Sequence, residues 1–173
     1  LSSSTTKRLK SPAKRSWKIH YTIKSKALKI TRRELSSIVK KVLAAVSDEI
    51  AIPEVCELHI MIINDQEMQG INQEYRKKNK PTDVLSFPQY SPKQIRKGVS
   101  SGEVVGSYLG DLVISSETTI RQARRFGVTV KAELIRLIVH GILHLIGYDH
   151  EKVPARQARA MRRREGEVRR GVK

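Results

Sequence analysis

The chain reads as a single α+β domain: a small mixed β-sheet packed with several helices, one of them central and buried. Three observations point there. Segments with period-two alternation and segments with helical spacing follow one another without the regular βαβ rhythm of a parallel sheet. From Ala132 to Ile146 the sequence is almost wholly aliphatic, and a helix apolar on all sides is a core helix. The 173 residues, 39% of them hydrophobic, are enough to bury one core.

The elements follow in order. Residues 1–16, LSSSTTKRLKSPAKRS, have the composition of a disordered basic tail. Trp17, Ile19, Tyr21 and Ile23 alternate with Lys18, His20, Thr22 and Lys24, which predicts a half-buried strand with His20 on its polar face. Thr31 and Glu34 form a capping box for a helix from Arg32 to Ser47. The dense apolar run Val55 to Asn64 predicts an inner strand, with His59 read as structural. Asp65 is expected to cap a short helix, Gln66 to Tyr75, followed by a basic loop, Arg76 to Thr82. Strands are predicted at Val84 to Phe87 and Tyr108 to Ser115, separated by the longest loop, 89–107. Ser116 is expected to cap a helix to Phe126 that Gly127 ends, and the aliphatic helix starts near Val130. Pro154 to Val168 is basic and helix-forming, and 169–173 is taken as a basic C-terminal tail, so the folded domain is placed at 17–168.

The net charge of +17 is concentrated at the ends. Residues 1–33 hold eleven Lys or Arg and no acid, residues 152–173 carry a net +7, and residues 34–151 a net −1. A neutral body with cationic ends implies a polyanionic partner, nucleic acid or an acidic membrane surface, and RNA or ribosome contact is favoured over basic tails that only keep the protein soluble. Few aromatics interleave with these charges, so base stacking is not indicated there. No apolar run has the length of a membrane span, and no secretory h-region is visible. The single Cys56 forbids an internal disulfide and fits a reducing, cytoplasmic setting. The Ser- and Arg-bearing, acid-free start also has the composition of an organelle transit peptide.

The chemistry-bearing segment is His140-Gly141-Ile142-Leu143-His144-Leu145-Ile146-Gly147-Tyr148-Asp149-His150. One helix face carries His140 and His144, about 6 Å apart along the axis. Gly147 can turn the chain back in a left-handed conformation, so that His150 returns as a third nitrogen ligand. Three histidines with an open fourth position form a catalytic zinc site rather than a closed structural one. Glu133, Arg136, His140 and His144 make one polar stripe, which faces the histidines toward a common cleft. The same spacing occurs in metzincin peptidases as HExxHxxGxxH, where the Glu is the general base. Here that position is Gly141, which weakens a peptidase reading and leaves phosphodiester chemistry open.

Three motifs then converge. HGILHLIGYDH, YRKKNKPTDVLSFP at 75–88 and LGDLVIS at 109–115 resemble, in order and spacing, the signatures of the YbeY endoribonucleases. That resemblance, running from about residue 17 to residue 165, implies a single domain with a small mixed sheet. It implies one zinc-type metal ion held by His140, His144 and His150, and a functional arginine at Arg76, which as a planar cation suits a phosphate. It implies a metal-dependent, single-strand-specific endoribonuclease that matures ribosomal RNA, notably the small-subunit 3′ end, and takes part in ribosome quality control. The partners so implied are ribosomal RNA, the small ribosomal subunit and single-stranded RNA substrate, with no membrane. Ser86, Asp83 and Asp149 are expected as supporting or turn residues. The rival readings are a zinc-dependent peptidase or other hydrolase, and a non-catalytic ribosome-assembly factor.

Overall fold

A computed structural model describes residues 16–46, 55–91, 94, 108–149 and 153–172. The expected tail up to residue 15, most of the 89–107 loop, and His150 lie outside the described residues. The order is β1 (Ser16–Ile23), α1 (Arg32–Val46), β2 (Val55–Ile63), α2 (Asp65–Arg76), β3 (Val84–Pro88), β4 (Tyr108–Ser115), α3 (Ser116–Phe126), α4 (Val130–Leu145) and α5 (Ala155–Val172). The four strands make one sheet in the order β1-β2-β4-β3. β1, β2 and β4 run parallel and β3 antiparallel, so the sheet is mixed, as predicted.

Alternation along the strands divides the apolar side chains between two faces. Leu58, Ile60 and Ile62 of β2 and Leu112 and Ile114 of β4 join the main core with α1, α4 and α5. Ile63, Val113 and Leu85 point the other way and form a small second core under Met68 of α2. α1 presents Leu35, Ile38, Val39, Val42, Leu43 and Val46 at helical spacing, all buried. Its capping box is formed: Thr31 N donates to Glu34 Oε2 at 2.9 Å and Glu34 N to Thr31 Oγ1 at 3.2 Å. α4 is enclosed on most sides, with Leu134, Leu137, Ile138, Val139, Ile142 and Leu143 at or near zero exposure.

Two caps differ from expectation by one residue. Asn64, not Asp65, caps α2, its Oδ1 accepting from Glu67 N at 2.8 Å. Ser115, not Ser116, caps α3. Asp65 is the first residue of α2, and its carboxylate accepts from Ser115 Oγ at 2.5 Å, Thr118 Oγ1 at 2.7 Å and Arg121 Nη1 at 2.5 Å, which locks the starts of α2 and α3 together. Burial alone would raise its pKa, but these hydrogen bonds and the Arg121 charge outweigh it and hold the carboxyl below its usual range. α5 also passes the expected boundary at 168. It runs to Val172, which is buried in the main core, so residues 169–172 continue the helix. Among the described residues no helix is long and apolar enough to cross a membrane.

Candidate active site

A cleft of about 790 Å³ opens where the C-terminal half of α4 meets β3 and the end of α2. Arg76 reaches it from α2, Ser86 from β3, His140 and His144 from α4, and Tyr148 and Asp149 from the chain beyond α4. Arg76 lies 64 residues before His140 and 68 before His144 in sequence, and the fold brings them together.

α4 splits its polar stripe in two. Glu133 is buried, and its carboxylate accepts from Arg136 Nη2 at 2.7 Å and Nε at 3.0 Å. Arg136 also reaches Asp83 at 3.3 Å. Burial would lower the guanidinium pKa, but Glu133 and Asp83 outweigh it and the net direction is upward. Asp83 meanwhile accepts from its neighbour Val84 N at 2.9 Å, so it is a turn residue at the start of β3 rather than a cleft residue. The other half of the stripe, His140 and His144, lines the cleft. Their rings stand edge to face, 4.7 Å between centroids at 71°.

Two glycines set this geometry. Gly147 has φ +92°, and the bonds Gly147 N to His144 O at 3.0 Å and Tyr148 N to Leu143 O at 3.0 Å form a Schellman motif around Ile146. The left-handed turn expected at Gly147 is present, and Tyr148 and Asp149 beyond it line the cleft. Gly141 packs on β4: a Cβ there would lie 2.1 Å from Leu112 Cδ1. Ser86 Oγ also donates to Gly141 O at 3.3 Å, tying β3 to α4. The space a side chain at 141 would need is therefore filled by a core leucine.

Arg76 is the last residue of α2 rather than the first of a loop. Lys77 takes the left-handed backbone at φ 57° and ends the helix. Buried Asn72 donates Nδ2 to Lys80 O at 2.7 Å, which pulls the lysine-rich turn back onto α2. Tyr75 packs edge-on against Phe87 at 4.9 Å and joins the end of α2 to β3. Arg76 is thus presented from a braced helix end.

The residue that sequence reasoning missed is Glu165 of α5. Its Oε1 lies 2.5 Å from His140 Nδ1, both side chains about four-fifths covered. Ala158, Met161, Val168 and Val172 make the buried stripe of α5, and Glu165 falls on that stripe. An acid on the inward face of an otherwise arginine-rich helix was the available signal. A carboxylate on one imidazole nitrogen fixes the tautomer and turns the other nitrogen outward, the usual support of a metal-bound histidine.

Among the described residues no three His, Cys, Asp or Glu side chains form a metal-sized cluster. His140 and His144 are the described pair; His150 lies outside that set. Two imidazoles on one helix face, one of them oriented by a carboxylate, are a donor set that suits zinc. The other histidines stay apart. His59 on β2 contacts Asp111 at 3.0 Å and Thr22 at 2.9 Å, and His20 contacts Glu57 at 3.3 Å.

Comparison with known proteins identifies the family. The family model described as endoribonuclease YbeY matches residues 20–173. A protein named endoribonuclease YbeY from Syntrophotalea carbinolica is 36% identical over 153 residues, covering 87% of this chain and 92% of that one. One from Chloroflexus aurantiacus is 42% identical over 137 residues, 77% of this chain and 84% of its own length. One from Aquifex aeolicus is 53% identical over 98 residues, 56% of this chain and 57% of its own length. The solution structure of a Thermotoga maritima protein superposes with a TM-score of 0.59 at 25% identity, covering 90% of this chain and 89% of that one. The matched region includes the cleft histidines, Arg76 and Glu165, and the chain belongs to the endoribonuclease YbeY family.

Proposed function

We propose that this protein is a zinc-dependent endoribonuclease that cuts single-stranded RNA, with precursor ribosomal RNA of the small subunit, near its 3′ end, as substrate. On this reading it works in the cytoplasm, on the ribosome's own RNA, and contributes to ribosome quality control. The observation that carries the reading is one cleft shared by Arg76, His140 and His144, with no side chain at Gly141. His140, His144 and His150 would hold the metal. A zinc ion there would supply Lewis-acid polarisation of a phosphoryl oxygen and a more acidic water.

The chain's own residues do the rest. Glu165 keeps Nδ1 of His140 protonated, so Nε2 is the nitrogen offered to the cation. Arg76 clamps a phosphate with its planar fork. The cleft floor of Leu85, Phe87 and Pro88 gives the substrate an apolar wall against which water is displaced. Gly141 leaves the peptidase alternative without its proton acceptor.

The test is digestion of single-stranded ribosomal RNA fragments, with and without chelator, by wild type and Arg76→Ala. Cleavage should be lost with chelator. It should fall about 10²–10³-fold in the variant, the usual effect of deleting one oxyanion-stabilising donor, while zinc content and Tm stay at wild-type values. Unchanged cleavage by Arg76→Ala would remove that residue from the active site.

A further inference from the structure

α5 carries two separate faces. Its inner face delivers Ala158, Met161, Val168 and Val172 to the core and Glu165 to His140. Its outer face is arginine. Arg156, Arg159, Arg162, Arg163, Arg169 and Arg170 are all exposed. At 3.6 residues per turn, Arg156, Arg159, Arg163 and Arg170 fall within an arc of roughly 60° opposite the buried stripe, and their span is about 21 Å of helix. One acid, Glu167, serves this side, reaching Arg163 at 3.8 Å and Arg164 at 3.1 Å. Like charges at three- and four-residue steps oppose helix formation. Packing of the inner face holds the row together, and a polyanion laid along it would remove the repulsion.

We propose that this arginine row is a phosphate-backbone contact for RNA, separate from the cleavage cleft, which anchors long RNA to the protein. The row points away from the side of α5 that touches His140, so it adds affinity without entering the chemistry. The guanidinium fork matches phosphate oxygens in pairs. An acidic membrane is the poorer partner: a helix that binds bilayers buries an apolar face in them, and the apolar face of α5 is already buried in the core. The proposal rests on the RNA reading above for the identity of its partner.

The experiment uses the full chain with Arg156→Gln, Arg159→Gln, Arg163→Gln and Arg170→Gln combined, and the same four positions as Lys. Binding of a long single-stranded RNA is measured by anisotropy in chelator, across a salt series, beside cleavage of a short oligonucleotide with metal. The Gln variant should lose about tenfold or more in affinity for long RNA, and the slope of log K against log salt should become shallower by roughly 3, about 0.7 per lost phosphate contact. The Lys variant should keep most of that slope, and helical circular dichroism and short-oligonucleotide turnover should match wild type in both. An unchanged slope in the Gln variant overturns the proposal. So does displacement of the RNA by polyglutamate as readily as by unlabelled RNA, or an arginine-dependent affinity for phosphatidylserine vesicles without one for RNA. Row-dependent RNA binding in a protein that cleaves nothing would support the anchor and overturn the endoribonuclease reading alone.

Discussion

His59 and His140 each place Nδ1 against a carboxylate, Asp111 at 3.0 Å for the first and Glu165 at 2.5 Å for the second. The pairs look alike chemically and differ in what surrounds them. His59 sits on a sheet face between neighbouring strands, and its Nε2 is hydrogen-bonded with Thr22 Oγ1 at 2.9 Å. Both nitrogens are spent on cross-strand bonds. Asp111 is shared further with the Tyr108 phenol, whose pKa is pushed up to about 12 by burial and then by that bond and charge. His140 instead meets the ring of His144 inside a cleft that also holds Arg76. The lesson is that a histidine–carboxylate pair does not by itself mark a candidate site; a second imidazole and an arginine in a shared cleft set His140 apart.

That contrast can be broken at four points, in descending order of effect. If His144 holds zinc as proposed, His144→Ala should abolish zinc binding and reduce RNA cleavage by more than about a hundredfold, since it would delete a ligand rather than a supporting group. Metal analysis of the purified variant checks it, and full zinc occupancy would show the ligand set to be wrong. Glu165→Gln should weaken zinc affinity by about 10–100-fold, the range for loss of a carboxylate behind a metal-bound histidine. A chelator competition titration reads this directly, and an unchanged affinity would reduce Glu165 to a packing role. Gly141→Ala should cost about 1–3 kcal/mol by overpacking against Leu112, seen as a lower Tm. A trimmed partner, Leu112→Ala, should partly relieve the clash in the double variant, whereas additive losses would contradict the contact. His59→Ala should change stability by less than about 1 kcal/mol, because its pair is partly exposed, and leave cleavage of purified RNA at the wild-type rate. A large loss of cleavage there would erase the distinction between the two pairs.

Local signals carried far in this chain. Helix periodicity alone put His140 and His144 on one face, because residues four apart are neighbours on any α-helix. Gly147 signalled its own left-handed turn, and Thr31 with Glu34 signalled the capping box. The cap of α2 was misplaced by one residue because Asp65 looks like a good local cap. Its carboxylate is taken instead by Ser115, Thr118 and Arg121, some fifty residues on. The cap of α3 was misplaced because Ser116 looks like one too, although its hydroxyl bonds to Ile63 O at 3.0 Å instead. Glu165 was hidden for a similar reason: in an arginine-rich helix it resembles a surface counter-charge until α5 is docked against α4.

The sequence by itself determined the α+β class, nearly every element, the pairing of His140 with His144, the turn after them, and the concentration of positive charge at the two ends. These depend on backbone spacing and side-chain pattern, which act over a few residues. Tertiary structure decided that Arg76 faces the histidines, that Glu165 orients His140, and that Gly141 is glycine because Leu112 occupies the space beside it. It also decided that the arginines of α5 share one outward face, because only packing against the core fixes which side of that helix turns to water.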